Sequence, residues 1–215
     1  RNKIFYMNGD LRTNGKFIDC FGFNSTLPSI RNFDPANSDI HVYNDWVVNG
    51  TNLNLIENTS RIEIDSGYFN HYNGSYFPYH FVHFNAVNNP QYLTSDQADS
   101  LMFDEVIFNS KDGKMYGTNG SAYCKFAEFK GMGLVNQSAS SNVNVYVFDT
   151  LFFNSVGTIF GNDTVRNYVE FDSIGNITGN GHYRNAYFFN NGNIIGDNLF
   201  DTLTFNPPYT YRLGS

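Results

Sequence analysis

One phrase recurs in the second half of this 215-residue chain and leaves very few folds open to it. Between Val145 and Asn206 an apolar residue, a Phe and an Asn or Asp precede a turn and then Gly-x-Ile-x-Gly. The copies are Phe153-Asn154 with Gly157-Thr158-Ile159-Phe160-Gly161, Phe171-Asp172 with Gly175-Asn176-Ile177-Thr178-Gly179, and Phe189-Asn190 with Gly192-Asn193-Ile194-Ile195-Gly196. Phe205-Asn206 opens a fourth. The period is about 18 residues, shorter than most helical repeats. Each copy holds short runs of strand-forming residues punctuated by Gly, Asn and Asp. A single coil of this kind cannot bury its own Phe and Ile, whereas a stack of coils can.

The expected fold is therefore all-β: a right-handed parallel β-helix with coils of about 18–24 residues. Stacking at a strand spacing of about 4.8 Å puts like on like. Phe153, Phe171, Phe189 and Phe205 form one expected ladder, and Ile159, Ile177 and Ile194 a second. Corner Gly and Asn supply the positive φ of sharp turns, and stacked Asn amides bond along the axis. The alternative of equal strand content is an antiparallel β-sandwich. Against it, no Asn-Gly hairpin pattern joins equal strands through the repeats.

Residues 1–206 read as a single β-helix, irregular over 1–100 and most regular over 101–206. Residues 207–215 read as a C-terminal extension, because Pro207-Pro208 cannot donate to a ladder. Asn88 to Ser100 lacks the pattern and is expected to leave the coil, as is Asn136 to Asn142. Arg1 is not an initiator methionine and no signal segment opens the chain, so a longer or processed protein is expected. No run of 18 apolar residues is present, which excludes a membrane-spanning helix. Charged residues make up only 15% and the net charge is −7, so no basic patch is available for nucleic acid. Cys20 and Cys124 lie about five coils apart, too far for a disulfide, and are read as two buried apolar positions.

No nucleophile elbow, phosphate loop, His-Glu-x-x-His or Cys-x-x-Cys occurs. Arg166, Glu170 and Arg184 fall in adjacent coils and form the compact charged set on which a polysaccharide lyase or hydrolase would depend. The preferred reading of these three is solvated outward positions, and the chain is expected not to be an enzyme. Tyr68, Tyr72, Tyr76 and Tyr79 lie in one polar stretch, read as a loop that covers the open side of the coil or, in the alternative, as exposed aromatics forming a carbohydrate-stacking platform. Asp104, Asp149, Asp172 and Asp201 follow or adjoin Phe and are read as turn residues at coil corners. No cofactor is expected, although stacked corner Asp and Asn would offer calcium its hard oxygen ligands. No metal site is assigned.

The closing phrase Asn198-Leu199-Phe200-Asp201-Thr202-Leu203-Thr204-Phe205-Asn206-Pro207-Pro208-Tyr209-Thr210-Tyr211-Arg212-Leu213, after the Gly-Asn-Ile repeats, resembles very large cell-surface proteins of gliding Bacteroidota-type bacteria. The resemblance runs from about residue 100 to the end. It implies export by the type IX route, an extracellular or cell-surface location and an adhesin-like structural role. The implied partners are carbohydrate or other surface proteins. Such segments are similar in fold to pectin-lyase-like β-helices. Asp99-Ser100-Leu101, Asp149-Thr150-Leu151, Asp163-Thr164-Val165, Asp172-Ser173-Ile174 and Asp201-Thr202-Leu203 are similar to the O-glycosylation signal of those bacteria. The resemblance thus implies sugar on Ser100, Thr150, Thr164, Ser173 and Thr202.

Overall fold

The computed structural model describes residues 2–56, 59–96, 99–116, 121–136 and 145–214, with the backbone alone at 75, 96, 99, 100 and 145. Alternation of inward and outward side chains gives strands of three to ten residues, as in Asp112–Tyr116 and Gly157–Gly161. Neither face of such a strand is covered by a sequence neighbour. Each strand pairs instead with its equivalent one coil away, and every pairing is parallel. The chain is a β-solenoid, and the antiparallel sandwich is excluded.

Among the described residues an eleven-strand sheet runs from Lys3–Phe5 to Tyr211–Gly214. A ten-strand sheet from Ile18–Cys20 to Leu199–Phe205 forms the second side. Gly9–Arg12, Arg31–Asp34 and Leu53–Leu55 add a third side to the first coils only. Gly133 pairs with Gly157, Gly157 with Gly175 and Gly175 with Gly192, which are steps of 24, 18 and 17 residues. No described residue is helical, so no described helix is long and apolar enough to cross a membrane.

Two inward columns carry the core. Met115, Val135, Ile159, Ile177 and Ile194 stack along the eleven-strand sheet, as the Gly-x-Ile spacing predicts. Phe84, Phe108, Phe129, Phe153, Phe171, Phe188 and Phe205 stack along the other, with adjacent ring centroids 4.4–5.4 Å apart. Phe188 stands where Phe189 was expected, and Phe189 is 43% exposed. The cause is a bulge. Val165 pairs with Tyr183 but Val169 with Ala186, so residues 166–168 face only two partners and the coil shortens to 17.

The two glycines of each Gly-x-Ile-x-Gly have different reasons. Gly161, Gly179 and Gly196 have φ of 96°, 143° and 95° and make the turn. Gly157 and Gly175 are extended, and what excludes a side chain there is the Phe ladder. A Cβ on Gly157 would lie 2.3 Å from Phe153 Cγ, and one on Gly175 2.5 Å from Phe188 Cε1.

Three further expectations need correction. The stretch Asn88 to Ser100 does not leave the coil as a whole: Pro90–Asp96 is a strand between Tyr68–Tyr72 and Asp112–Tyr116, and residues 97 and 98 lie outside the described set. Of the second expected excursion, Asn136 to Asn142, all but Asn136 also lies outside it. Pro207-Pro208 does not end the solenoid, because Tyr211–Gly214 pairs with Gly192–Ile195 and adds a last strand. Cys20 and Cys124 are unbonded to each other and buried in the core, as expected.

Arg31 is fully buried without a carboxylate. Its Nη1 donates to Ser25 O and Oγ at 2.6 Å each, Nη2 to Asn49 O at 2.7 Å and Thr51 O at 2.6 Å, and Nε to Ser29 O at 3.0 Å. The planar fork ties the corresponding turns of two successive coils together where the third side meets the first, and burial lowers its pKa.

Candidate functional site

The tyrosines of the expected sugar platform do not share one surface. Tyr79 is core: it is 5% exposed, stacks on Phe103 at 5.7 Å and shares a 2.8 Å hydrogen bond with His71 Nδ1. Burial raises the Tyr79 pKa and lowers that of fully buried His71 to about 3, so this pair is neutral. Tyr76 is exposed near the start of the strand Ser75–Phe84, with φ of 59°. Tyr72 is half-buried at the end of its strand, and Tyr68 projects from the lateral face of the eleven-strand sheet. Tyr79 therefore cannot stack on a ligand, and Tyr68 has other neighbours than its sequence suggests.

Those neighbours are Tyr92 and Tyr116, at coil spacing along the same face. Tyr68 pairs with Tyr92, Asn70 with Thr94, and Thr94 with Tyr116. Together these five residues line a groove of about 260 Å³. The signal was present in the sequence as a tyrosine every 24 residues, but it spans a segment read as an excursion.

Arg166, Glu170 and Arg184 lie on the outer face of the ten-strand sheet. Arg166 is on the bulge and Arg184 opposite it. The Arg166 guanidinium lies 5.1 Å over the Tyr123 ring. Glu170 stands further along the strand opposite Tyr187, its pKa raised by partial burial and then by Asp172. The register places the three on one side of the solenoid, with Arg166 turned toward Tyr123 in an earlier coil.

A different charged column was missed. The ten-strand sheet bends where two successive residues face outward, at 80–81, 104–105, 125–126 and 149–150. Asp104 pairs there with both His80 and Lys125, and His83 bonds Glu105 at 2.6 Å. In the next coils Tyr123 donates to Asp149 Oδ2 at 2.5 Å. Burial and this carboxylate push Tyr123 up to about 12. Asp104, Asp149 and Asp201 thus lie inside strands, not at turns, and only Asp172 keeps the expected corner position after Phe171. Runs of outward-facing residues in a bent strand look like corners in one dimension.

Of the residues implied to carry sugar, Thr202 is exposed and Thr150, Thr164 and Ser173 are partly exposed. The Ser100 side chain lies outside the described residues. Among the described residues no group of three or more His, Cys, Asp or Glu side chains is arranged to hold a metal ion. Asp163 is buried, accepts from Asn136 Nδ2 and Tyr146 N at 2.9 Å, and burial raises its pKa to about 8. Its carboxylate thereby ties Asn136 to Tyr146. Comparison with known proteins gives no match: no family model, no curated protein and no solved structure matches this chain.

Proposed function

We propose that this chain is a stiff structural section of a secreted or cell-surface protein, adhesin-like in role, that presents its lateral faces for binding. The observation carrying this reading is the continuous core. Seven phenylalanine rings stack without a break from Phe84 to Phe205, so load along the axis is shared by parallel ladders in every coil. Low charge and many outward Asn, Thr and Tyr leave a polar lateral surface suited to sugars or to other surface proteins. Export by the type IX route and O-glycosylation at Thr150, Thr164, Ser173, Thr202 and Ser100 belong to the same proposal. Antibody raised against the chain should label intact source cells, and the native protein should exceed its sequence mass by sugar on those residues. Labelling only after lysis, with an unmodified mass, would refute it.

One observation favours a second reading, a polysaccharide lyase or hydrolase. His80, Asp104 and Lys125 form a connected ion network beside Tyr123 and Asp149 on an outer bend. Turnover of an acidic or neutral polysaccharide that is abolished by Asp104→Asn or by Glu170→Gln would establish it in place of the scaffold.

A further inference from the structure

The lateral groove of Tyr68, Asn70, Tyr92, Thr94 and Tyr116 has the chemistry of a ligand site, and we propose that it binds a neutral glycan chain. The proposal rests on the reading that the lateral faces are the working surfaces. Four observations converge on it.

The walls are aromatic and rigid. The three tyrosines stand on three consecutive strands of one parallel sheet, held by the register of the coils. The Tyr92 and Tyr116 rings lie 6.0 Å apart at 79°, so one offers a face where the other offers an edge. Tyrosine presents a large contact area at low entropic cost and keeps a polar tip for hydrogen bonding.

The floor is polar and incompletely satisfied. Asn70 Oδ1 is buried and has no hydrogen-bond partner. An orphan acceptor of this kind costs free energy until a donor reaches it. Turning the amide about its own axis brings this acceptor to the groove, where a ligand hydroxyl supplies the donor, and the phenol groups around it both accept and donate.

The charge is balanced. Lys114 sits 5.4 Å over the Tyr92 ring, and its ammonium pairs with Asp112 at 3.3 Å. Asp45 bonds the Tyr68 amide at 3.2 Å and Asn44 Nδ2 at 2.9 Å. The residues lining the groove itself are uncharged, within a chain of net charge −7. An uncharged polyhydroxylated ligand fits at the three tyrosines, where the adjoining Lys114 is already paired with Asp112.

The groove is also extended. Tyr68 lines a second cavity of about 110 Å³, formed with Lys3, Gly22, Asn24, Asp45 and Val47. The two share one wall and run in line across the coils, which suits a chain rather than a single compact molecule.

The test uses the whole chain and defined probes. Cellohexaose, xylohexaose, chitohexaose, laminarihexaose and mannohexaose are titrated by calorimetry, with hexagalacturonate as the charged control. At least one neutral hexasaccharide should bind. Tyr92→Ala and Asn70→Ala should each weaken that binding tenfold or more, and Tyr76→Ala, outside the groove, should leave it within twofold. If Tyr92→Ala alters folding, saturation transfer from tyrosine ring protons to the bound sugar in the unaltered protein gives the same answer. No neutral hexasaccharide bound at millimolar concentration, tighter binding of hexagalacturonate, or affinity indifferent to both substitutions would each overturn the proposal. Surface labelling of intact cells reports on the scaffold reading separately, so the failure of either is distinguishable from failure of the other.

Discussion

Phe153 and Phe171 lie one above the other in successive coils, their ring centroids 5.0 Å apart and their planes within 2°. Their backbones are register partners in adjacent strands, so the rings repeat at nearly the strand spacing itself. A face-to-face stack is not the preferred arrangement of two free aromatic rings. The parallel ladder imposes it, and the compensation is a column from which water is excluded along half the molecule. This one relationship accounts for the extended glycines, the coil length and the sensitivity expected of the fold.

Removing a ring from the middle of the column should be costly. Phe171→Ala should lose about 3–5 kcal/mol, because neighbouring coils cannot close over the space while their ladders hold. Phe189→Ala, one coil further on but exposed, should stay within about 0.5–1 kcal/mol. Urea unfolding midpoints of the two variants decide the register, and equal losses would contradict it.

Gly157→Ala should destabilise by about 1–3 kcal/mol through overpacking against Phe153. Its backbone is not in the left-handed region, so the loss is steric. The cost should therefore shrink in a Phe153→Ala background, as a negative coupling in a double-mutant cycle. An unchanged cost would assign the effect to the backbone instead.

Arg31→Lys should cost about 2–4 kcal/mol, although the charge is kept. An ammonium has three donors and no planar fork, and so leaves some of the carbonyls of Ser25, Ser29, Asn49 and Thr51 unpaired in a buried place. Arg12→Lys, exposed on the same side, should be neutral within about 0.5 kcal/mol. Thermal melts of both variants against the parent chain test this contrast.

Asp163 makes stability depend on pH in an unusual sense. Its pKa is raised from 3.8 to about 8 in the folded chain by burial. The folded chain thus keeps a proton that the unfolded chain has released, and the contribution of this group to stability falls as pH rises from about 4 toward 8. Asn136 Oδ1 is buried without a partner, and an amide flip would let it accept that proton. Asp163→Asn should remove this part of the pH slope. Melting temperatures of parent and variant from pH 5 to 8 give the difference, and parallel curves would refute it.

The amino-acid sequence by itself determined the fold class, because the Phe and Gly-x-Ile phrases repeat at a spacing only stacked coils can bury. It also placed Ile159, Ile177 and Ile194 correctly, since each lies two residues after a glycine whose partner is another glycine. Tertiary structure decided what depends on register over several coils. Tyr187-Phe188-Phe189 offers two phenylalanines to one ladder, and only the bulge at 166–168 selects Phe188. A one-residue slip turns every later side chain to the opposite face, so it is not a small correction. The same reason hid the groove. Tyr68 reads locally with Tyr72, Tyr76 and Tyr79, yet stacking sets it beside Tyr92 and sends Tyr79 into the core. Coil lengths that vary from 17 to 24 residues sum along the chain. Which outward residues meet across coils is therefore fixed by the stacked backbone, whose hydrogen bonds run between residues far apart in sequence.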